Sequence, residues 1–474
     1  MELKSVRIVN YRSIDNISFD ILPLEDKTFT YGLIGVNEAG KSTILKALAL
    51  KDGLQDEKGN TLPLKKDFKD KSKPIEIGYT YLLNKNEIEE CKNILNTLPS
   101  PIEVNNSELK EIDIAFIFDY TSPDLPDIEL DTKNISDEDE NKDTIQDALE
   151  ELISNKAHSA IFWTAEDRYL ISQPINLAQF ATNPDAESIP LKNCFYLAGI
   201  NNISERIADI TGDSTEVEQL EKELGDNVTE HINNVWPKHP IVITFKIGEG
   251  LINFHVQDLD GIGKAKTADQ RSDGFKQFVS FLLTVSAQDK NDELSNSILL
   301  LDEPETHLHP QAQEDLLKEL IKITKNSRNN VVFFATHSNY MIDKGDLSRN
   351  YKIKKEKDNT KKEQFDRKLS TYASVTYEVF DIPSTDYHNE LYSKLHQRYQ
   401  DLDPKDEKKH SINNFDKDFL HKEKGLKRDK PSWGEEDKAT LPTYIRNCIH
   451  HSDNGNTYKT EELRKSIELL RLYI

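Results

Sequence analysis

The sequence predicts an α/β fold, and three observations predict it. A glycine-bearing segment, residues 35–43, stands between an apolar run ending at Ile34 and a helix-like run opening at Ile44. Two later apolar runs, 298–301 and 331–335, each end in polar residues: Asp302-Glu303 and Thr336-His337-Ser338. From 272 to 345 the pattern reads helix, strand, helix, strand, the alternation that builds a parallel sheet with helices on its faces.

Each element follows from its local pattern. Leu3, Val6 and Ile8 open the chain with strand-like alternation, and residues 1–50 read as strands leading into a loop and a helix. Apolar-rich runs at 75–83 and 112–119 read as further strands. Residues 131–147 are crowded with Asp, Glu, Asn and Lys and read as an exposed linker or loop. From 144 to 235 the patterns are mostly helical, without sustained heptads. Residues 240–256 alternate like a hairpin: Ile241, Ile243 and Phe245, then Leu251, Asn253 and His255. The tail beyond about 350 is polar, with helical stretches at 386–400 and 461–473. The expected division is 1–130, a mostly helical insert at 131–235, a second core part at 236–348, and a polar helical region at 349–474.

Composition bounds the function classes. The chain has 474 residues, a formal net charge of −23 and 36% hydrophobic residues. That balance argues against a protein whose main task is to coat nucleic acid. Two basic tracts, 352–362 and 405–430, are interleaved with acids and read as solvated surface, so any nucleic-acid contact would be local. Three widely spaced cysteines, Cys91, Cys194 and Cys448, give no disulfide framework and no metal spacing, which fits a reducing compartment. The N-terminus carries no apolar signal run, and no segment approaches the length of a membrane span. The expectation is a cytoplasmic protein with no membrane contact.

Gly35-Val36-Asn37-Glu38-Ala39-Gly40-Lys41-Ser42-Thr43 matches the phosphate-binding pattern GxxxxGK[ST]. Its glycines let the backbone turn tightly enough to point N–H groups at phosphate oxygens. Lys41 supplies a point charge for β- and γ-phosphates, and the Ser42 hydroxyl can ligate Mg²⁺. The helix that follows adds a favourable N-terminus. Asp302, at the end of its apolar run, can hold Mg²⁺ as well, and Glu303 is placed to polarise an attacking water. Taken alone, a strand ending in Asp-Glu is unremarkable; the pairing with the first loop gives it meaning. His337 lies one strand–helix unit later, within reach of a γ-phosphate. Arg271-Ser272-Asp273-Gly274 precedes an apolar helical run. Ser272 there is either a plain helix cap or part of a helix N-terminus offered to the γ-phosphate of another protomer.

The order of these four elements resembles the ATP-binding-cassette (ABC) heads of the SMC, RecF and OLD group. The opening Val6-Arg7-Ile8-Val9-Asn10-Tyr11-Arg12-Ser13 is similar to their first strand and its NxR turn. The resemblance covers roughly residues 1–345. It implies a head with a mixed central sheet, flanking helices and an antiparallel subdomain. ATP and Mg²⁺ are the implied cofactors. It also implies that residues 35–43 and Arg12 surround the nucleotide, that Ser272 and Gly274 are its signature motif, that His337 is its switch histidine, and that two heads sandwich two ATP molecules into a homo-oligomer. The Ser-Asp-Gly signature is the form of the stand-alone RecF and OLD branch. No Q-loop glutamine can be placed, and no coiled-coil arm is present.

OLD-type proteins add a Toprim nuclease, which needs an acidic residue and a DxD at the ends of apolar strands. Asp401-Leu402-Asp403 follows a polar, helix-like run instead, so no Toprim is expected. A head without Toprim or coils resembles the ATPase subunits of two-gene anti-phage systems such as PARIS and Septu. That implies a phage-derived trigger and a separate effector, a nuclease. Two other readings stand beside it. Arg446-Asn447-Cys448-Ile449-His450-His451 matches the RNxxxH motif of HEPN-type ribonucleases, which would make Arg446 and His451 an ATP-gated nuclease site; the plain alternative is a capped helix end. A RecF-like DNA-repair ATPase is disfavoured by the acidic charge.

Overall fold

A computed structural model describes residues 1–56, 58–101, 109–131, 142–171, 174–235, 240–258, 266–267, 276, 279–281, 283–284, 295–325, 329–343, 345–365, 371–432, 437–451 and 455–474. It divides into two compact units, Met1–Phe365 and Asp366–Ile474.

In the first unit the chain opens with strands β1 (Glu2–Tyr11), β2 (Ile14–Asp20) and β3 (Thr30–Ile34), followed by helix α1 (Lys41–Ala49). Next come β4 (Ile75–Leu82), β5 (Glu111–Phe118), β6 (Asp127–Asp131), β7 (Ser159–Thr164) and β8 (Ile175–Asn176). Then follow β9 (Ile241–Gly248), β10 (Leu251–Asp258), β11 (Lys266–Thr267), β12 (Ser297–Asp302), β13 (Val331–Thr336), β14 (Asn350–Glu356) and β15 (Asn359–Gln364).

These strands form three sheets. A mixed six-stranded sheet runs β15-β14-β3-β13-β12-β7, parallel throughout except for the β14–β15 hairpin. Every residue of β12 and β13 is buried, as expected of central parallel strands covered on both faces. An antiparallel five-stranded sheet runs β2-β1-β4-β5-β6. In β4 burial alternates, with Ile75, Ile77, Tyr79 and Tyr81 facing the core. Helix α1 touches β1 of this sheet and β7, β12 and β13 of the other, so it lies between them. Its end is fixed by the Tyr79 hydroxyl, which donates to the Leu48 carbonyl at 2.6 Å. The third sheet pairs β10 with β9, β8 and β11, and the expected hairpin at 240–256 is β9–β10.

The fold class is thus α/β, with a mixed central sheet, flanking helices and an antiparallel subdomain. Three local expectations are corrected. Residues from 142 onward form the helix Lys142–Lys156 rather than a linker, because Ile145, Leu149 and Ile153 recur at helical spacing and are buried. The stretch expected to be mostly helical contributes β7 to the central sheet: Ile161, Phe162 and Trp163 are buried beside β12. The start of the polar tail is the β14–β15 hairpin and belongs to the first unit.

The second unit packs the helices Tyr372–Phe380, Thr385–Asp401, Leu441–His450 and Thr460–Arg471 around Leu391, Leu395, Phe415, Ile445 and Ile467. His388 is fully buried among them, its Nε2 at 3.0 Å from Ser466 Oγ. All three cysteines are free and buried. Among the described residues no helix is long and apolar enough to cross a membrane.

Candidate functional site

The parallel strands β3, β13 and β12 are neighbours, in that order, and their carboxyl ends lie side by side. This register brings the loop after β3, the pair Asp302-Glu303 and His337 to one edge of the sheet, the place where open α/β sheets bind ligands.

The loop 35–43 is shaped by backbone that few side chains tolerate. Glu38 has φ 64° and Gly40 has φ 103°. A Cβ on Gly40 would stand 2.3 Å from Thr360 Oγ1, and one on Gly35 would stand 2.3 Å from the Ile353 carbonyl oxygen. Glycine is therefore required at both positions by the β14–β15 hairpin packed against the loop. Lys41 is 4% exposed, and its ammonium donates to the carbonyls of Gly35 (2.9 Å) and Val36 (3.0 Å). Burial lowers its pKa below the usual lysine value, while Glu303, Asp302 and Glu305 pull the other way. An ammonium held by two loop carbonyls and flanked by carboxylates is ready for an anionic ligand to take over its hydrogen bonds.

Ser42 Oγ donates to Asp302 Oδ1 at 2.8 Å. Burial pushes the Asp302 carboxyl up to about 6, and the Ser42 hydroxyl opposes that. A hydroxyl and a buried carboxylate in contact make a sparse but suitable set for Mg²⁺, which takes most of its ligands from water and phosphate. Among the described residues no group of three or more His, Cys, Asp or Glu could hold a metal ion alone.

Glu303 has φ 51°, a left-handed conformation, and its N–H donates to Ala335 O at 3.0 Å. His337 Nδ1 stands 3.1 Å from Glu303 Oε1, with both side chains partly exposed (48% and 35%). With Nδ1–H donating to the carboxylate, a neutral His337 keeps Nε2 as an acceptor; only the doubly protonated ring offers a second N–H to a phosphate.

Arg12 lies in the β1–β2 turn at φ 50°. Its Nε donates to Asp67 Oδ1 at 2.9 Å, and its guanidinium lies 5.2 Å from the Tyr11 ring centroid. The same turn reaches the loop through Thr360, which bonds Ser13 Oγ at 2.7 Å and Ala39 O at 3.4 Å. Arg12 also lines a cavity of about 220 Å³ with Lys46, Lys66, Glu166 and Arg168. Ser272 and Gly274 lie outside the described residues.

Arg446 and His451 lie in the second unit, on and just after the helix Leu441–His450. Arg446 Nη1 donates to Asn447 Oδ1 at 3.1 Å, and the His451 N–H donates to Asn447 O at 2.9 Å. Three lysines of the tract 352–362 are engaged locally: Lys354 pairs with Glu356 and Glu363, Lys355 pairs with Asp358, and Lys362 sits 4.7 Å from the Phe19 ring centroid.

The AAA ATPase domain family model matches residues 1–342. The chain belongs to this family. It is also 27% identical over 136 residues to the uncharacterized protein MJECL43 of Methanocaldococcus jannaschii, which covers 28% of this chain and 34% of that protein. The chain thus spans about a third of the length of that relative. Among solved structures it is similar to an Smc head bound to the C-winged helix domain of ScpA (14% identity, 77% of this chain, 98% of that chain, TM-score 0.43). It is also similar to an Smc head with an extended coiled coil, bound to the C-terminal domain of ScpA derived from Pyrococcus furiosus (11%, 77%, 96%, 0.42). A third is the SMC head domain from Thermotoga maritima (11%, 77%, 100%, 0.37).

In this AAA ATPase-family chain, three site features escaped the sequence. The carboxyl end of β7 lies beside Asp302, with Thr164 paired to it, and Glu166, two residues on, meets Lys46 at 3.3 Å. Thr360 braces the loop from the hairpin. Glu305 is buried beneath the site. Only Glu305 had a local signal, as the third acid of Asp302-Glu303-Pro304-Glu305.

Proposed function

We propose that this chain binds ATP in the loop 35–43 and hydrolyses it, and that nucleotide-driven pairing of two heads controls a separate effector protein. The observation that carries the catalytic part is the convergence of Lys41, Ser42, Asp302, Glu303 and His337 at the carboxyl ends of three adjacent parallel strands.

In this reading Lys41 exchanges the Gly35 and Val36 carbonyls for β- and γ-phosphate oxygens. Ser42 and Asp302 would hold Mg²⁺, which when bound neutralises charge on the transferring phosphoryl group. Glu303 takes a proton from the attacking water as the new oxygen–phosphorus bond forms. The bond to the β–γ bridging oxygen breaks, and ADP and phosphate leave. His337 keeps the Glu303 carboxylate aimed at that water.

Lys41→Ala is expected to weaken ATP binding on the order of 100-fold, because charge-assisted bonds to phosphate are lost. Glu303→Gln should bind ATP normally and turn it over ~100-fold more slowly or worse, since an amide cannot accept the proton. Titration calorimetry and phosphate release measure the two; equal turnover by wild type and Glu303→Gln removes Glu303 as the base.

The assembly part rests on the resemblance of Ser272 and Gly274 to a signature motif. Glu303→Gln loaded with ATP should sediment as a dimer or larger even-numbered species, and Gly274→Arg should block this while ATP still binds. The effector role, in defence against phage, rests on the likeness to stand-alone heads. A plaque assay on cells carrying this chain and its genomic neighbour, with Lys41→Ala as control, tests it.

A further inference from the structure

Glu305 is the buried carboxyl that the proposed hydrolysis does not use. It is 1% exposed. One oxygen, Oε1, accepts from the Thr336 hydroxyl, while Oε2 is buried with no hydrogen-bond partner. A bare buried oxygen of this kind is costly.

Its position shows what depends on it. Glu305 lies two residues past Glu303, in the turn that follows β12. Thr336 is the last residue of β13 and immediately precedes His337. The Thr336 hydroxyl that donates to Glu305 also accepts the Ser338 N–H at 2.9 Å, so one oxygen clamps both sides of His337 to the turn carrying Glu303. A second strut runs parallel: Gln313 Nε2 donates to Leu308 O at 2.8 Å, and Gln313 Oε1 accepts from Ser338 Oγ. Above these struts, Glu303 and His337 are both partly exposed. Their 3.1 Å contact is set by the two backbone turns that carry them.

We infer that Glu305 is a positioning residue for the ATPase reaction: acting through Thr336, it holds the Glu303 turn and the His337 turn in register. The inference rests on the hydrolytic reading above. Glu305 touches neither nucleotide nor water in this role. What it must supply is an acceptor for Thr336, not a charge.

That distinction gives the test. Glu305→Ala is expected to lower kcat for ATP about 10- to 100-fold, the range a small misplacement of catalytic groups produces, with KM and nucleotide affinity within about 2-fold of wild type. Glu305→Gln retains an acceptor oxygen and should restore kcat to within about 3-fold. Thr336→Val removes the same bond together with the acceptor for the Ser338 N–H and should lower kcat at least as far as Glu305→Ala, Thr336→Ser should rescue it, and the double variant should be no worse than Thr336→Val. Amide exchange of peptides spanning 303–308 and 336–338, in the nucleotide-free full-length protein, should quicken in Glu305→Ala and Thr336→Val but not in Glu305→Gln. Wild-type kcat in Thr336→Val, failure of Gln to rescue, or unchanged exchange in both peptides overturns the inference. If Glu305→Ala does not fold, the Thr336 pair decides alone. Absence of ATP turnover in the wild type overturns the hydrolytic reading instead, and the exchange measurement still judges the strut.

Discussion

Glu303 adopts a backbone conformation, φ 51°, that costs a non-glycine residue roughly 1–2 kcal/mol. Strain of this kind persists where the surrounding structure over-determines it, and here the Ala335 carbonyl and the turn closed by Thr306 do so. Glu303→Gly should therefore stabilise the folded chain by up to about 1 kcal/mol while abolishing turnover; a denaturant midpoint that falls instead would show the conformation to be unstrained. The opposite holds at Gly40. Gly40→Ala adds both a left-handed penalty and a collision with Thr360, so it should destabilise by more than about 1 kcal/mol. At this scale the sequence was legible where chemistry needs contiguous residues: 35–43 and Asp302-Glu303 are short strings. Thr360 and Glu166 were not, because their partners Ala39 and Lys46 lie 321 and 120 positions away.

Elements were legible where one face or both faces are apolar, as in β4, β12 and β13. The β14–β15 hairpin was not, because it is an edge element rich in lysine and glutamate in which only Asn350, Ile353 and Thr360 are buried and Tyr351 packs on Phe19. Its turn carries the only clue. Glu356 pairs with Asn359, and Lys357 and Asp358 between them have φ 47° and 64°, a type I′ arrangement. Strand β7 was lost inside a long span read as mostly helical. Once placed, the hairpin has work to do, since Thr360 joins the loop 35–43 to the turn after β1. Thr360→Val keeps the shape and removes these bonds. It should cost about 1 kcal/mol in a denaturant titration and weaken ATP binding measurably. ATP affinity equal to wild type would mean that the loop holds its own shape without the hairpin.

At the scale of the whole molecule the two units should answer acid differently. His388, in the second unit, is buried and its pKa is lowered to about 4; burial also lowers His396 and His450. A histidine whose folded pKa lies below its unfolded value of about 6.5 favours folding in the neutral form. That contribution is complete above pH 6.5 and is lost as pH falls toward 4, by up to about 3 kcal/mol for His388. In the first unit His158 behaves alike, lowered to about 4 by burial. There, however, burial raises Glu305 to about 7 and Asp302 to about 6. A carboxyl with a raised folded pKa prefers to fold protonated, so these two contribute more as pH falls below 7 and below 6, offsetting His158. Among the described residues of the second unit no buried acid is raised in this way, and the shifted carboxyls, Asp437 and Glu462, are lowered. Between pH 7.5 and 5 the second unit should therefore lose more stability than the first. Amide exchange, corrected for its intrinsic pH dependence, should quicken in Thr385–Asp401 and Thr460–Arg471 before it does in β12 and β13. His388→Phe should flatten the response of the second unit while giving up the bond to Ser466, about 1 kcal/mol at pH 7.5. Equal acid sensitivity of the two units, or an unchanged slope in His388→Phe, would mean that the buried histidines do not govern it.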